Sequence, residues 1–218
     1  MTTDTAWTRH LAGVFIVFDG PDGSGKSTQF RRFSRFVQTA GLGVEEVREP
    51  GGTAVGEYIR NVLLDPEIER DHHMAVRCEM MLYMASRAQL VEERIRPALS
   101  AGKCVLADRF VSSTLAYQGT AGGMSIDAIR QVADVAIGKD WPALTVVFDV
   151  DEQTAAHRLN PLLDRMELKG AEYHRKVRQG YLDQAAADPD HYLVIDARPD
   201  ANTVFTALCE GVQKHFID

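Results

Sequence analysis

Gly20-Pro-Asp-Gly-Ser-Gly-Lys-Ser27 follows the short apolar run Val14-Phe-Ile-Val-Phe18 and opens a segment patterned as a helix from Lys26 to about Ala40. The run is continuous, β-branched and aromatic, so it reads as a strand buried on both faces. The octapeptide fits G-x-x-x-x-G-K-[ST], and a strand before it with a helix after it is the context that this motif requires. Glycines let backbone N–H groups turn inward on phosphate oxygens, and the helix N-terminus adds partial positive charge. Lys26 can reach the β- and γ-phosphates of a nucleotide, and the Ser27 hydroxyl can ligate Mg²⁺. The expected ATP-binding loop is therefore Gly20, Pro21, Asp22, Gly23 and Ser24, continued by Gly25, Lys26, Ser27 and Thr28.

Outward from this loop, strand and helix patterns alternate. Strands are predicted at Val44 to Arg48, Lys103 to Ala107, Leu144 to Val150 and His191 to Ile195. Helices are predicted at Val55 to Leu64, Met74 to Arg96, Val111 to Tyr117, Ile126 to Ile137, from Gly170 to about Ala187, and at Ala201 to Phe216. That alternation predicts an α/β fold with a five-stranded parallel sheet and helices on both faces. Ligands on such sheets sit at the carboxyl ends of the strands. There is no repeat, low-complexity tract or linker, so residues 1–218 are expected to form one domain, with residues 1–13 a frayed N-terminal extension.

Composition narrows the class. The formal charge of −7 argues against nucleic acid as the main partner. Three isolated cysteines, Cys78, Cys104 and Cys209, make neither a disulfide framework nor a thiolate metal site, and they fit a reducing, cytoplasmic setting. No apolar stretch is long enough to span a bilayer, and Met1 to Gly13 lacks a cleavable leader pattern. A guanine-reading Asn-Lys-x-Asp is absent, and the chain is short for a motor.

Further along, Asp108-Arg109 ends a strand at the ligand edge of the sheet. A carboxylate there can hold Mg²⁺ through water, and a guanidinium can grip phosphate with two parallel hydrogen bonds. Tyr83 and Arg87, four apart on a helix, share one face, as do Thr114 and Gln118. An aromatic ring such as that of Tyr83 can stack on a base, and an Arg one turn on can donate to a base oxygen.

Four stretches, in order, resemble the bacterial thymidylate kinases: Phe18 to Thr28; Arg48-Glu-Pro-Gly-Gly-Thr53; Asp108-Arg-Phe110 with Ser113-Thr-Leu-Ala-Tyr-Gln-Gly119; and Leu163-Asp-Arg165. The resemblance runs from about Val14 to the C-terminus. It implies a P-loop nucleotide kinase fold with a short lid at about residues 157–170, transfer from ATP to dTMP with Mg²⁺, and a homodimer. It assigns Arg109 and Arg60 to the acceptor phosphate. Tyr83 (where the family usually has Phe) would stack on thymine, and Arg87 would bind its O4. Thr114 and Gln118 go near the N3 edge, Tyr117 beside the deoxyribose and Asp22 at the 3′-hydroxyl. Ser27 and Asp108 would organise the metal.

In such enzymes arginine charge near the moving phosphoryl group comes from the phosphate loop or from the lid. Asp22-Gly23-Ser24 contains no Arg, so the lid Arg158-Leu-Asn-Pro-Leu-Leu-Asp-Arg165 is expected to supply it. Arg158 is then the catalytic arginine and Arg165 its support, alongside Lys26 and Arg109. Pro50 is a candidate cis proline by the same resemblance. The alternatives are a kinase for another pyrimidine nucleotide and a nucleotide-binding regulator without turnover.

Overall fold

The computed structural model describes residues 5–71, 74–158, 165–166 and 169–217. Five parallel strands, β1 (Phe15–Asp19), β2 (Val44–Arg48), β3 (Cys104–Asp108), β4 (Leu144–Asp149) and β5 (Tyr192–Asp196), lie in the order β2-β3-β1-β4-β5. The register sets Phe18 beside Asp108 and Asp108 beside Arg48. The phosphate loop after β1, the Asp108-Arg109 pair and the Glu49-Pro50 turn therefore leave the sheet at one level.

Alternation along β1 divides the core. Ile16 and Phe18 pack with Phe30, Phe33 and Val37 of α1 (Lys26–Thr39) and with Val204, Leu208 and Val212 of α10 (Ala201–Ile217). Phe15 and Val17 face the other way, toward Met80 and Met84 of α4 (Val76–Leu90) and Ile129 and Ala133 of α7 (Ile126–Ile137). Successive strand side chains point to opposite faces, so a run apolar at every position is what a sheet covered on both sides requires.

The remaining helices are α2 (Ala54–Leu64), α3 (Pro66–Asp71), α5 (Arg96–Ser100), α6 (Val111–Thr114), α8 (Glu152–Arg158) and α9 (Ala171–Ala187). Short α3 and α8 are additional to the predicted set. The predicted helix from Met74 to Arg96 instead starts at Val76 and widens to a π-helical turn at Val91–Ile95 before α5. Pro97 has no N–H, and its ring collides with the carbonyl four residues back in a regular helix. A second π-helical turn, Leu115–Ala121, continues α6 and carries Tyr117 and Gln118.

The expectation of a frayed extension over residues 1–13 is corrected for its described part. Ala6–Leu11 forms a 3₁₀ helix that buries Trp7, Thr8 and Leu11. The Trp7 ring lies 6.4 Å from Phe33 and 5.9 Å from Phe36 of α1. Apolar area withdrawn from water holds this segment down.

Candidate active site

Sharp turns build the phosphate loop. Gly20 has φ 135°, and a Cβ there would stand 2.6 Å from the Phe148 carbonyl oxygen. Gly23 has φ 76°, and its Cβ would meet the Ala155 carbonyl oxygen at 2.5 Å. Only glycine satisfies both the dihedral and the space. The loop delivers Lys26, a buried side chain whose ammonium pairs with Asp108 Oδ1. Ser27 Oγ lies 3.5 Å from Asp108 Oδ2. Burial opposes ionisation of Asp108, but Lys26, then Arg109 and Ser27, hold its carboxyl below the usual range.

Arg109 is the one non-glycine residue at positive φ (71°) among the described residues. Strain of this kind persists where surrounding contacts over-determine a side chain's position. Here Nη2 donates to Asp22, while Nη1 faces Asp19 Oδ1 (3.3 Å), the Gly20 carbonyl (3.2 Å) and the Tyr181 hydroxyl (3.1 Å). Asp19 is fully buried and also accepts from Ser112 (2.6 Å), Ser113 (2.7 Å) and Tyr181 (2.6 Å). Burial works against the charge of Asp22 too. Arg109, the Tyr117 hydroxyl (2.7 Å) and Lys26 outweigh it and lower its pKa.

Beside this cluster opens a cavity of about 260 Å³, and it gathers the acceptor residues expected from sequence. Asp22, Arg60, Tyr83, Arg87, Arg109, Thr114, Tyr117 and Gln118 all line it, together with Lys26 and Asp108. Thr53 caps α2 by accepting from Gly56 N (3.0 Å), which places Arg60 one turn on, where its Nη1 bonds the Pro50 carbonyl (2.9 Å). The Glu49-Pro50 peptide is cis.

Arg87 is nearly fully buried. Its Nε and Nη2 meet Glu49, Nη2 also meets Thr114 Oγ1 (3.2 Å), and Nη1 meets the Met84 sulfur (3.0 Å). The described contacts occupy one of its two Nη1–H groups, and Arg87 lines the cavity. Burial pushes the Glu49 carboxyl up to about 7 against the pull of Arg87.

The lid expectations change most. Arg165 is fully buried, pairs with Glu79 and donates to the Leu63 carbonyl (2.7 Å). A guanidinium committed to a buried carboxylate and a backbone oxygen is structural, so the expected support of the phosphates by Arg165 is corrected. Arg158, at the end of α8, bonds the carbonyls of Ala197 (2.8 Å) and Arg198 (3.0 Å). It does stand beside the loop: its Nη1 would lie 3.9 Å from a Cβ on Gly25. Residues 159–164 and 167–168, most of the expected lid, lie outside the described residues.

Sequence reasoning passed over Arg48, Glu49 and Ser113, which also line the cavity, and Asp19, Tyr181 and Glu79, which hold residues that do. Asp19 and Glu49 each lie inside a quoted motif, and that position was the available signal. Tyr181 and Glu79 sit in ordinary helical patterns and gave none.

A phosphate loop feeding a parallel sheet, with Lys26, Tyr83, Tyr117 and Gln118 lining one cavity, defines the class of P-loop kinases that act on nucleotides. Comparison with known proteins gives the particular family. The family model described as thymidylate kinase matches residues 18–208. The chain is 46% identical over 193 residues to the thymidylate kinase of Deinococcus radiodurans, covering 86% of this chain and 91% of that one. It is 45% identical over 185 residues to that of Symbiobacterium thermophilum, covering 84% and 85%. The crystal structure of thymidylate kinase from Ehrlichia chaffeensis superposes with a TM-score of 0.75 at 30% identity, over 93% of this chain and 99% of that chain. The chain belongs to the thymidylate kinase family.

Proposed function

We propose that the protein transfers the γ-phosphoryl group of ATP to dTMP, giving dTDP and ADP, as one P-loop kinase domain. The observation that carries this reading is the shared cavity: phosphate-directed Lys26 and Arg109 and base-directed Tyr83, Arg87, Thr114 and Gln118 line the same space. Membership of a family whose relatives are named thymidylate kinase supports the same acceptor.

The acceptor phosphate already carries ionised oxygens near neutral pH, so the chain need only align it and balance charge. Arg109, braced by Asp19 and Asp22, and Arg60 face that phosphate. Lys26 serves the donor phosphates, and Arg158 stands on the donor side of the loop. Tyr83 offers a ring to the base, and Arg87 its remaining N–H to a base carbonyl. Tyr117 and Asp22, bonded to each other, border the sugar. Ser27 Oγ and Asp108 Oδ2 are hard oxygen donors close enough to share one Mg²⁺. They fit an ion held mostly by phosphates and water, and among the described residues no cluster of three acidic, His or Cys side chains offers a cage. Bound there, Mg²⁺ would screen phosphate charge.

The proposal includes a short lid at about residues 157–170, a cytoplasmic setting and a homodimer. Val55, Tyr58 (78% exposed) and Val62 form an apolar stripe along α2, beside exposed Met81 of α4, which suits self-association. The test is ADP release with ATP, Mg²⁺ and each nucleoside monophosphate in turn. Turnover with dTMP, slower with dUMP and least with dCMP, dAMP and dGMP is expected. Turnover confined to another monophosphate sinks the acceptor assignment.

A further inference from the structure

Glu79 is the fully buried carboxylate of α4, and its contacts join two parts of the molecule. Gln118 Nε2 donates to Glu79 Oε1 at 2.6 Å. Arg165 pairs with Oε2, and Lys169 Nζ lies 3.2 Å from the same oxygen and 3.5 Å from Oε1. Arginine and lysine only donate hydrogen bonds, so two cations beside the carboxylate make Glu79 an acceptor toward Gln118 as well. Only the NH₂ end of a carboxamide can answer it. The direction of the Gln118 amide thus follows from the charges behind it.

The consequence falls in the cavity. Gln118 lines it, and among the described residues no donor reaches its Oε1. With the NH₂ end held by Glu79, the wall presents an oxygen at this point. A keto pyrimidine carries N3–H and can donate to that oxygen. Cytosine carries a lone pair at N3 and would oppose it. We infer that Glu79 is a positioning residue that makes Gln118 select pyrimidines with a protonated N3, an inference that rests on the thymidylate kinase reading above.

Replacing Glu79 with Gln tests this with an opposite expectation. Arg165 and Lys169 draw the new amide oxygen to themselves, so its NH₂ turns to Gln118. Gln118 must then flip and show its own NH₂ to the base. The ratio of kcat/KM for dTMP to that for dCMP is expected to fall by about tenfold or more, chiefly through KM for dTMP. The double variant Glu79→Gln with Gln118→Glu puts an acceptor back toward the base and is expected to recover most of that ratio. Loss of stability alone would lower both substrates together and would not be recovered by the second change.

A folded Glu79→Gln protein with the ratio unchanged overturns the inference and leaves the kinase reading standing. An unmutated protein inactive on dTMP overturns the kinase reading, and the inference falls with it. Should Glu79→Gln not fold, heteronuclear NMR of the unmutated protein decides. Gln118 carboxamide protons that are shifted downfield and slow to exchange support the inference, and signals at the positions of a solvated amide overturn it.

Discussion

Glu49 and Arg87 form a buried ion pair at the wall of the acceptor cavity, with Nη2 2.6 Å and Nε 2.8 Å from Oε2. Thirty-eight residues separate them in the chain, and their side chains are 3% and 1% exposed. The Arg87 guanidinium at the cavity wall is therefore held by a carboxylate from another element, after β2.

That aim is pH-dependent. Burial raises Glu49 to about 7, so its charged form dominates above that pH and the protonated form below it. As pH falls through about 7, the one charge that orients Arg87 is lost. The pH profile of kcat/KM for dTMP is expected to lose activity on the acid side with an apparent pKa near 7. In Glu49→Gln this titration should vanish while the ionisation of the substrate phosphate remains. A profile identical in both proteins counts against the pair's role.

Arg109 is expected to resist conservative replacement. Lysine keeps the charge but cannot reach Asp19 and Asp22 from one planar group while facing a phosphate. Arg109→Lys should lower kcat/KM by about 10²-fold or more, by analogy with loss of one preorganised donor. Steady-state kinetics at saturating ATP would measure it, and a loss under threefold would count against the assignment.

Asp108→Asn removes the carboxylate that stands opposite Ser27 Oγ and pairs with Lys26. The variant is expected to need about tenfold more Mg²⁺ for half-maximal rate, the low end of the cost of disturbing a metal's supporting shell. Chelation of Mg²⁺ should silence the unmutated enzyme reversibly. An unchanged Mg²⁺ titration would remove Asp108 from the metal site.

Trp7→Ala should unfold more easily by about 3 kcal/mol, as for other large aromatic truncations in a core. Trp7 is 5% exposed, packs against Phe33 and Phe36, and is not among the residues that line the cavity. Urea unfolding should show the loss, with kcat unchanged. A loss below about 0.5 kcal/mol, the range of surface substitutions, would restore the picture of a loose extension.

Local physics made much of this molecule readable from sequence. The apolar run before Gly20 reads as a doubly covered strand, and Gly20, Gly25, Lys26 and Ser27 read as a phosphate loop from their spacing between that strand and the helix after it. Arg60, Tyr83, Arg87, Thr114 and Gln118 were named in advance, and one cavity gathers them. Their side-chain partners came from the tertiary structure. Arg165 looked like a lid cation, but Glu79, 86 positions away, takes it into the interior. Tyr181, 162 positions from Asp19, braces Arg109 from behind. Repeating patterns along a chain report which face of a helix is apolar. A buried polar group must find its partner wherever the fold supplies one, so the sequence determined the elements and the reacting groups, and only tertiary packing decided which carboxylate holds which arginine.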